Sequence, residues 1–314
     1  MRARHLFTLL TVFATILLMG WGAFVTSIDA GLAVPDWPSS FNSYDPLNPW
    51  PGWWTITPVL AEHGHRLLGA LVGLLVLILS IWTFAADSRR WMRRLAVGVL
   101  ALVMLQGFLG GLRVVWVSLD LAVVHACVAQ LFFSMMVCMA LFTSRSWTDV
   151  EDSHVGQSAV SNRLVKLGAA ASVAIYIQII LGALLRHPGT GIDLSLAGLH
   201  IFWAFVVVGL VLATAYEVHR SHRHIPTIRR SRDAMLGLLV VQFMLGLTAF
   251  FVLLDEVGMV QPSNLQVASN TSHMVIGALL MASSVALLTW SLRERHRFAP
   301  GASPISPKSV PQPA

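Results

Sequence analysis

Apolar residues run almost unbroken through eight stretches of this chain, at approximately 6–26, 65–85, 95–114, 120–142, 164–185, 195–216, 234–254 and 270–290. Each is about 20 residues long, the length at which a helix crosses ~30 Å of hydrocarbon. Polar residues gather in the segments between. The pattern predicts an all-α membrane protein with eight transmembrane helices. The first stretch follows Arg2 and Arg4. It is longer than the roughly 7–15 apolar residues of a signal peptide, so it reads as a retained helix.

Composition agrees: 56% of the residues are hydrophobic and 11% charged, against roughly 25% charged in soluble domains. The sequence pI of about 10.1 would suit a nucleic-acid binder. However, no aromatic-interleaved basic face and no zinc-finger spacing is present. The charge instead marks orientation. The N-terminus, the three even-numbered linkers and the C-terminal tail hold 18 of the 21 Lys and Arg; the exceptions are Arg66, Arg113 and Arg186. The positive-inside rule then places both termini on the cytoplasmic side of a prokaryotic-type cytoplasmic membrane.

The long loop 27–60 falls outside. It carries Asp29, Asp36 and Asp45 with Trp37, Trp50, Trp53 and Trp54, and no Lys or Arg. It is either a lid lying in the interface or an ordinary aromatic belt. Cys127 and Cys138 share the fourth span, ~16 Å apart along one helix, too far for a disulfide. The Pro- and Ser-rich stretch after Phe298 is expected to be disordered.

Two repeats organise the spans. Gln106-Gly-Phe-Leu-Gly110, Gln178-Ile-Ile-Leu-Gly182 and Gln242-Phe-Met-Leu-Gly246 place one Gln-x-x-Leu-Gly string in each of spans three, five and seven. His65, His125, His200 and His273 lie at or just inside the outer ends of spans two, four, six and eight. We read two pseudo-symmetric four-helix bundles, 1–147 and 164–292. A cytoplasmic linker, 148–163, joins them, and a cytoplasmic tail, 293–314, follows. An even number of spans gives both units one orientation, so their pseudo-twofold axis runs along the membrane normal.

Histidines facing each other inside a four-helix bundle can hold haem iron from above and below. The pairs would be His65 with His125, and His200 with His273. Gly64, Gly69, Ala126, Ala129, Ala197, Gly198, Gly277 and Ala278 leave room for a macrocycle, or simply pack helix on helix. Zinc fits less well, since its sites gather three or four ligands in one place. His63 is two residues from His65 and points to another side of its helix. His187 is read as solvated in the short outer loop, with a propionate contact as the lesser option. His219, His222 and His224 fall in a basic linker, read as a solvated charge run. His5, His154 and His296 are read the same way.

The halves differ at one place. Glu62-x-x-His65-Arg66 in the first becomes Ala197-x-x-His200-Ile201 in the second. Glu62 and His65 share a helix face, and Glu62 and Arg66 are spaced to pair. Proton-active groups beside one haem point to chemistry there. The alternative is a salt bridge from Arg66 to a propionate, with Glu62 as its structural partner. Arg186 is the corresponding propionate candidate in the second half.

This constellation resembles the haem A synthase family of eight-helix membrane oxidases, over roughly residues 6–292. The likeness rests on EHGHR at 62–66, on His125, His200 and His273, on GAFVTSIDAGLAVPDWP at 22–38 and on LQGFLGGLRV at 105–114. It implies oxidation of the C8 methyl of haem O to a formyl group, by two successive hydroxylations, for cytochrome oxidase assembly. It also implies substrate haem at His65 and His125, a haem b cofactor at His200 and His273, and Glu62 as the catalytic residue. Haem O synthase is the implied supplier, and an external donor such as a ferredoxin-like protein brings electrons. Many members carry a cysteine pair in the first outer loop, and this chain has none there. On the residues alone, a bis-histidine haem b electron-transfer protein and a non-catalytic haem-binding assembly factor stay open.

Overall fold

The computed structural model describes residues 2–148, 160–186, 193–255 and 262–297. His154, His187 with its outer loop, and the tail after Phe298 lie outside the described residues. Eight described helices are long and apolar enough to cross a membrane. They are α1 (Arg2–Ser27), α2 (Thr57–Ala86), α3 (Arg90–Val115), α4 (Leu119–Thr143), α5 (Asn162–Arg186), α6 (Leu194–Glu217), α7 (Pro226–Asp255) and α8 (Asn264–Arg297). No strand forms among the described residues. This is an integral membrane protein.

The helices outrun the apolar spans because polar residues cap and extend them. Pro58 opens α2, where its missing N–H is not needed. Ser118 accepts from the Leu121 N–H at the start of α4, and Asp193 accepts from the Ser195 and Leu196 N–H groups at the start of α6. α8 continues to Arg297 and takes in the RERHR segment assigned to the tail.

α1 and α3 each pack on α2 and α4. α5 packs on α6 and α8, and α7 on α8 with a lighter contact to α6. α8 also lies against α1 and α4, and α4 touches α5. Lipid offers no gain for merely burying apolar surface, so close van der Waals fit holds the helices together. One core joins Val72, Val76 and Leu79 to Met92, Val99, Phe132 and Met136. The other joins Leu164 and Ile175 to Val207, Val211, Ile228, Met235 and Leu287. Both fill the half of the helices nearer the basic linkers, and the histidines lie in the opposite half.

The basic ends are tied by ions. Asp87, in the turn between α2 and α3, accepts from Arg4 of α1 at 2.8 Å and from Arg89 at 2.7 Å. Arg89 also donates to the Phe142 carbonyl of α4. Burial disfavours the Asp87 charge. Hydrogen bonds from Arg89, with Arg4 alongside, outweigh that and hold its pKa down at about 2. His222 departs from the expected solvated charge run. A π-helical turn, Val218–His222, follows α6 and swings it inward, so that it is buried and within 3.3 Å of Ser161 Oγ.

Candidate functional site

Each of the four histidines meets a glycine on the preceding helix. A Cβ built on Gly22 would lie 2.9 Å from His65 Cε1. The same test gives 3.2 Å from Gly110 to His125, 3.2 Å from Gly182 to His200 and 3.0 Å from Gly246 to His273. The imidazole edges therefore enter notches in α1, α3, α5 and α7 where an added Cβ would crowd the ring, most tightly at Gly22. In all four rings Nδ1 is buried without a hydrogen-bond partner. Such orphans carry a free-energy cost and ask for an explanation. His65 and His125 lie within electrostatic range of each other, as do His200 and His273.

The Gln-x-x-Leu-Gly strings now have a shape. Gln and Gly are one helical turn apart and look the same way, so both address the histidine of the next helix. Gln178 Nε2 lies 3.0 Å from His200 Nε2 and donates to the His200 carbonyl. Gln242 Nε2 lies 3.2 Å from His273 Nε2. Gln106 reaches only the His125 carbonyl, at 3.2 Å. In α1 the matching position is Leu18, which has no side-chain donor.

This donor set fits two bis-histidine haem sites: facing, neutral-capable imidazoles, each with an unsatisfied nitrogen. Of the small residues expected to line them, Gly69 and Gly198 face open space, while Gly64 packs on Trp21 and Gly277 on Gln242.

Glu62 and Arg66 serve the outer loop. Glu62 is buried; one carboxylate oxygen accepts from Arg66 at 2.9 Å, the other from the Val34 N–H at 2.9 Å. Arg66 donates to the carbonyls of Val34, Asp36 and Ser39 and to Ser40 Oγ. His63 is buried too, with Nε2 2.9 Å from the Pro46 carbonyl and its ring edge-on to Trp53. Trp37 lies flat on Gly111 of α3, and Val34 is fully buried. The loop is thus a folded lid on α2 and α3, with Trp50 and Trp54 left exposed. Asp36 shapes it by accepting from Ser39, Phe41 and Asn42. Partial burial works against its charge, but those bonds lower its pKa.

Two further arginines complete this end of the helices. Arg113 of α3 donates to the Gly31 carbonyl at 2.7 Å and lies within electrostatic range of Glu62, His65 and His125. In the sequence Arg113 stands out only as one of three cations away from the basic linkers, and its reach to Gly31 is not legible from spacing. Arg186 donates to Ser27 Oγ at 2.7 Å and lies within electrostatic range of His273.

A model of the cytochrome oxidase assembly protein family matches residues 55–197. Curated proteins named heme A synthase are also similar. That of Exiguobacterium sibiricum is 27% identical over 60% of this chain and 61% of its own length. That of Geobacillus kaustophilus is 24% identical over 81% of this chain and 84% of its own. The chain is thus similar, over part of its length, to proteins named heme A synthase. The match to the Exiguobacterium sibiricum protein thus spans about three-fifths of that relative. The segment matched by the family model includes Glu62, His65, Arg66, Arg113, His125 and Arg186, and ends before His200.

Proposed function

We propose that this protein is a haem A synthase, oxidising the C8 methyl of haem O to a formyl group through two successive hydroxylations. The observation that carries the reading is a set of four half-buried imidazoles, each with a buried, unpartnered Nδ1, with Glu62, Arg66 and Arg113 around one pair only. The substrate haem is assigned to His65 and His125, and a haem b cofactor to His200 and His273. Haem b held there supplies one-electron redox chemistry, fed by an external donor such as a ferredoxin-like protein; haem O synthase supplies the substrate.

The chain's own residues set the conditions. His65 and His125 orient the substrate from either side. The lid, locked by Arg66 and His63, keeps water from the outer mouth. Glu62 places a carboxylate under that lid, where it can hold or pass a proton, and Arg113 offers the nearest cation for a propionate. Arg186 has the corresponding place in the second half. Arg66 is the weaker propionate candidate, because its donors already serve lid carbonyls. The two four-helix units, with termini in the cytoplasm, put this chemistry near the outer face of the cytoplasmic membrane.

The test is co-expression with a haem O synthase, followed by pigment extraction. Haem A should accumulate with the wild type. Glu62→Ala should abolish it while the His200/His273 haem stays bound. A folded, haem-loaded wild type that yields only haem B and haem O would refute the enzyme reading. One observation favours a bis-histidine haem b electron-transfer protein instead: both oxygens of Glu62 are already partnered. On that reading Glu62→Gln leaves electron transfer intact.

A further inference from the structure

The repeated glutamines are used unevenly. In the second half both reach a ring nitrogen, Gln178 to His200 and Gln242 to His273. In the first half neither side chain does: that of Gln106 reaches the His125 carbonyl, Leu18 stands in place of the fourth glutamine, and the two rings meet only the backbone of these residues. We propose that Gln178 and Gln242 are positioning residues that lock the second-half ligands, making that haem resident while the first-half haem is left exchangeable. This rests on the haem assignment above and deepens it.

The physical reason is orientational. A ligating imidazole must present one nitrogen to iron and give the other a partner, which fixes ring angle and tautomer. A carboxamide can donate or accept, so it serves whichever tautomer iron selects. Oε1 of Gln178 and of Gln242 is buried without a partner, so the accepting face is in reserve. Without such a side-chain partner a ring is held by backbone contacts alone. A substrate haem has to leave after each turnover, and a cofactor haem does not; the clasp is found where departure is unwanted.

Haem release to apomyoglobin, followed in the Soret band on purified haem-loaded protein, tests this without any turnover. Wild type should release haem in two phases. Gln178→Leu and Gln242→Leu should each speed the slow phase by roughly 10–100-fold, the usual effect of removing a ligating histidine's partner. Both should also raise the high-spin fraction in the electron paramagnetic resonance spectrum. Leu18→Gln should slow the fast phase; if that variant does not fold, the two leucine variants carry the test, since leucine matches glutamine in bulk. Gln106→Leu is the control for a merely structural role. It removes the same side chain from the same motif, but on the first-half helix, and should leave the slow phase within about twofold of wild type.

Equal release rates for the two wild-type haems would overturn the proposal. So would slow-phase rates unchanged in the Gln178 and Gln242 variants, or a Gln106→Leu effect as large as theirs. In each of those cases bound haem would leave the functional reading standing. A wild type that takes up no haem would overturn both.

Discussion

Asp87 joins three elements through one carboxylate: Arg4 on α1, Arg89 beside it in the turn, and through Arg89 the end of α4. Its pKa is lowered from 3.8 to about 2. A carboxylate depressed in this way stabilises the fold fully above the unfolded value, and the contribution is lost as pH falls through the folded value. Thermal unfolding of the purified protein should therefore show a midpoint that drops between about pH 4 and pH 2. Asp87→Asn should be less stable at neutral pH and flat across that window. At this scale the sequence was readable where a partner is local. Glu62 and Arg66 stand one turn apart, and their ion pair follows from spacing alone. The use made of that pair did not follow, because Arg66 donates to backbone oxygens of an irregular loop about 30 positions away. His222 was misread for the same reason: its partner Ser161 lies on another element.

The eight helices were legible because an apolar run of membrane length has few other uses. Their ends were not, since caps and basic flanks add turns that hydropathy does not register. The Gln-x-x-Leu-Gly strings were visible as repeats, yet their purpose depends on which helix faces them. Only the packed structure supplies that. The lid was left between two readings, and its buried Val34 and hydrogen-bonded His63 and Arg66 place it firmly on α2 and α3. Its attachment leads to a prediction. Lysine keeps the charge of Arg66 but cannot span four lid acceptors with a rigid fork. Arg66→Lys should therefore open residues 41–56 to limited proteolysis at least several times faster than wild type, with the helices still protected. Equal cleavage rates would show that Trp37 and Val34 hold the lid by themselves.

Across the whole molecule, the histidines repeat in register but the surroundings do not. Arg186 closes the seam between early and late helices. It reaches from the end of α5 to Ser27 Oγ at 2.7 Å and the Ala23 carbonyl at 3.3 Å, and Ser27 meets Thr271 of α8 at 3.1 Å. In the register of the glycine notches, the position of Arg186 corresponds to Thr26 in α1. Fragments 1–153 and 154–314, co-expressed as separate chains, should therefore co-purify, and Arg186→Gln should reduce the recovered complex. Two copies of the earlier fragment should not pair, because neither brings a cation to the Ala23 carbonyl and Ser27 Oγ at the end of α1. That outcome would make the chain a fused heterodimer, two similar halves that each complete the other and not a copy of themselves.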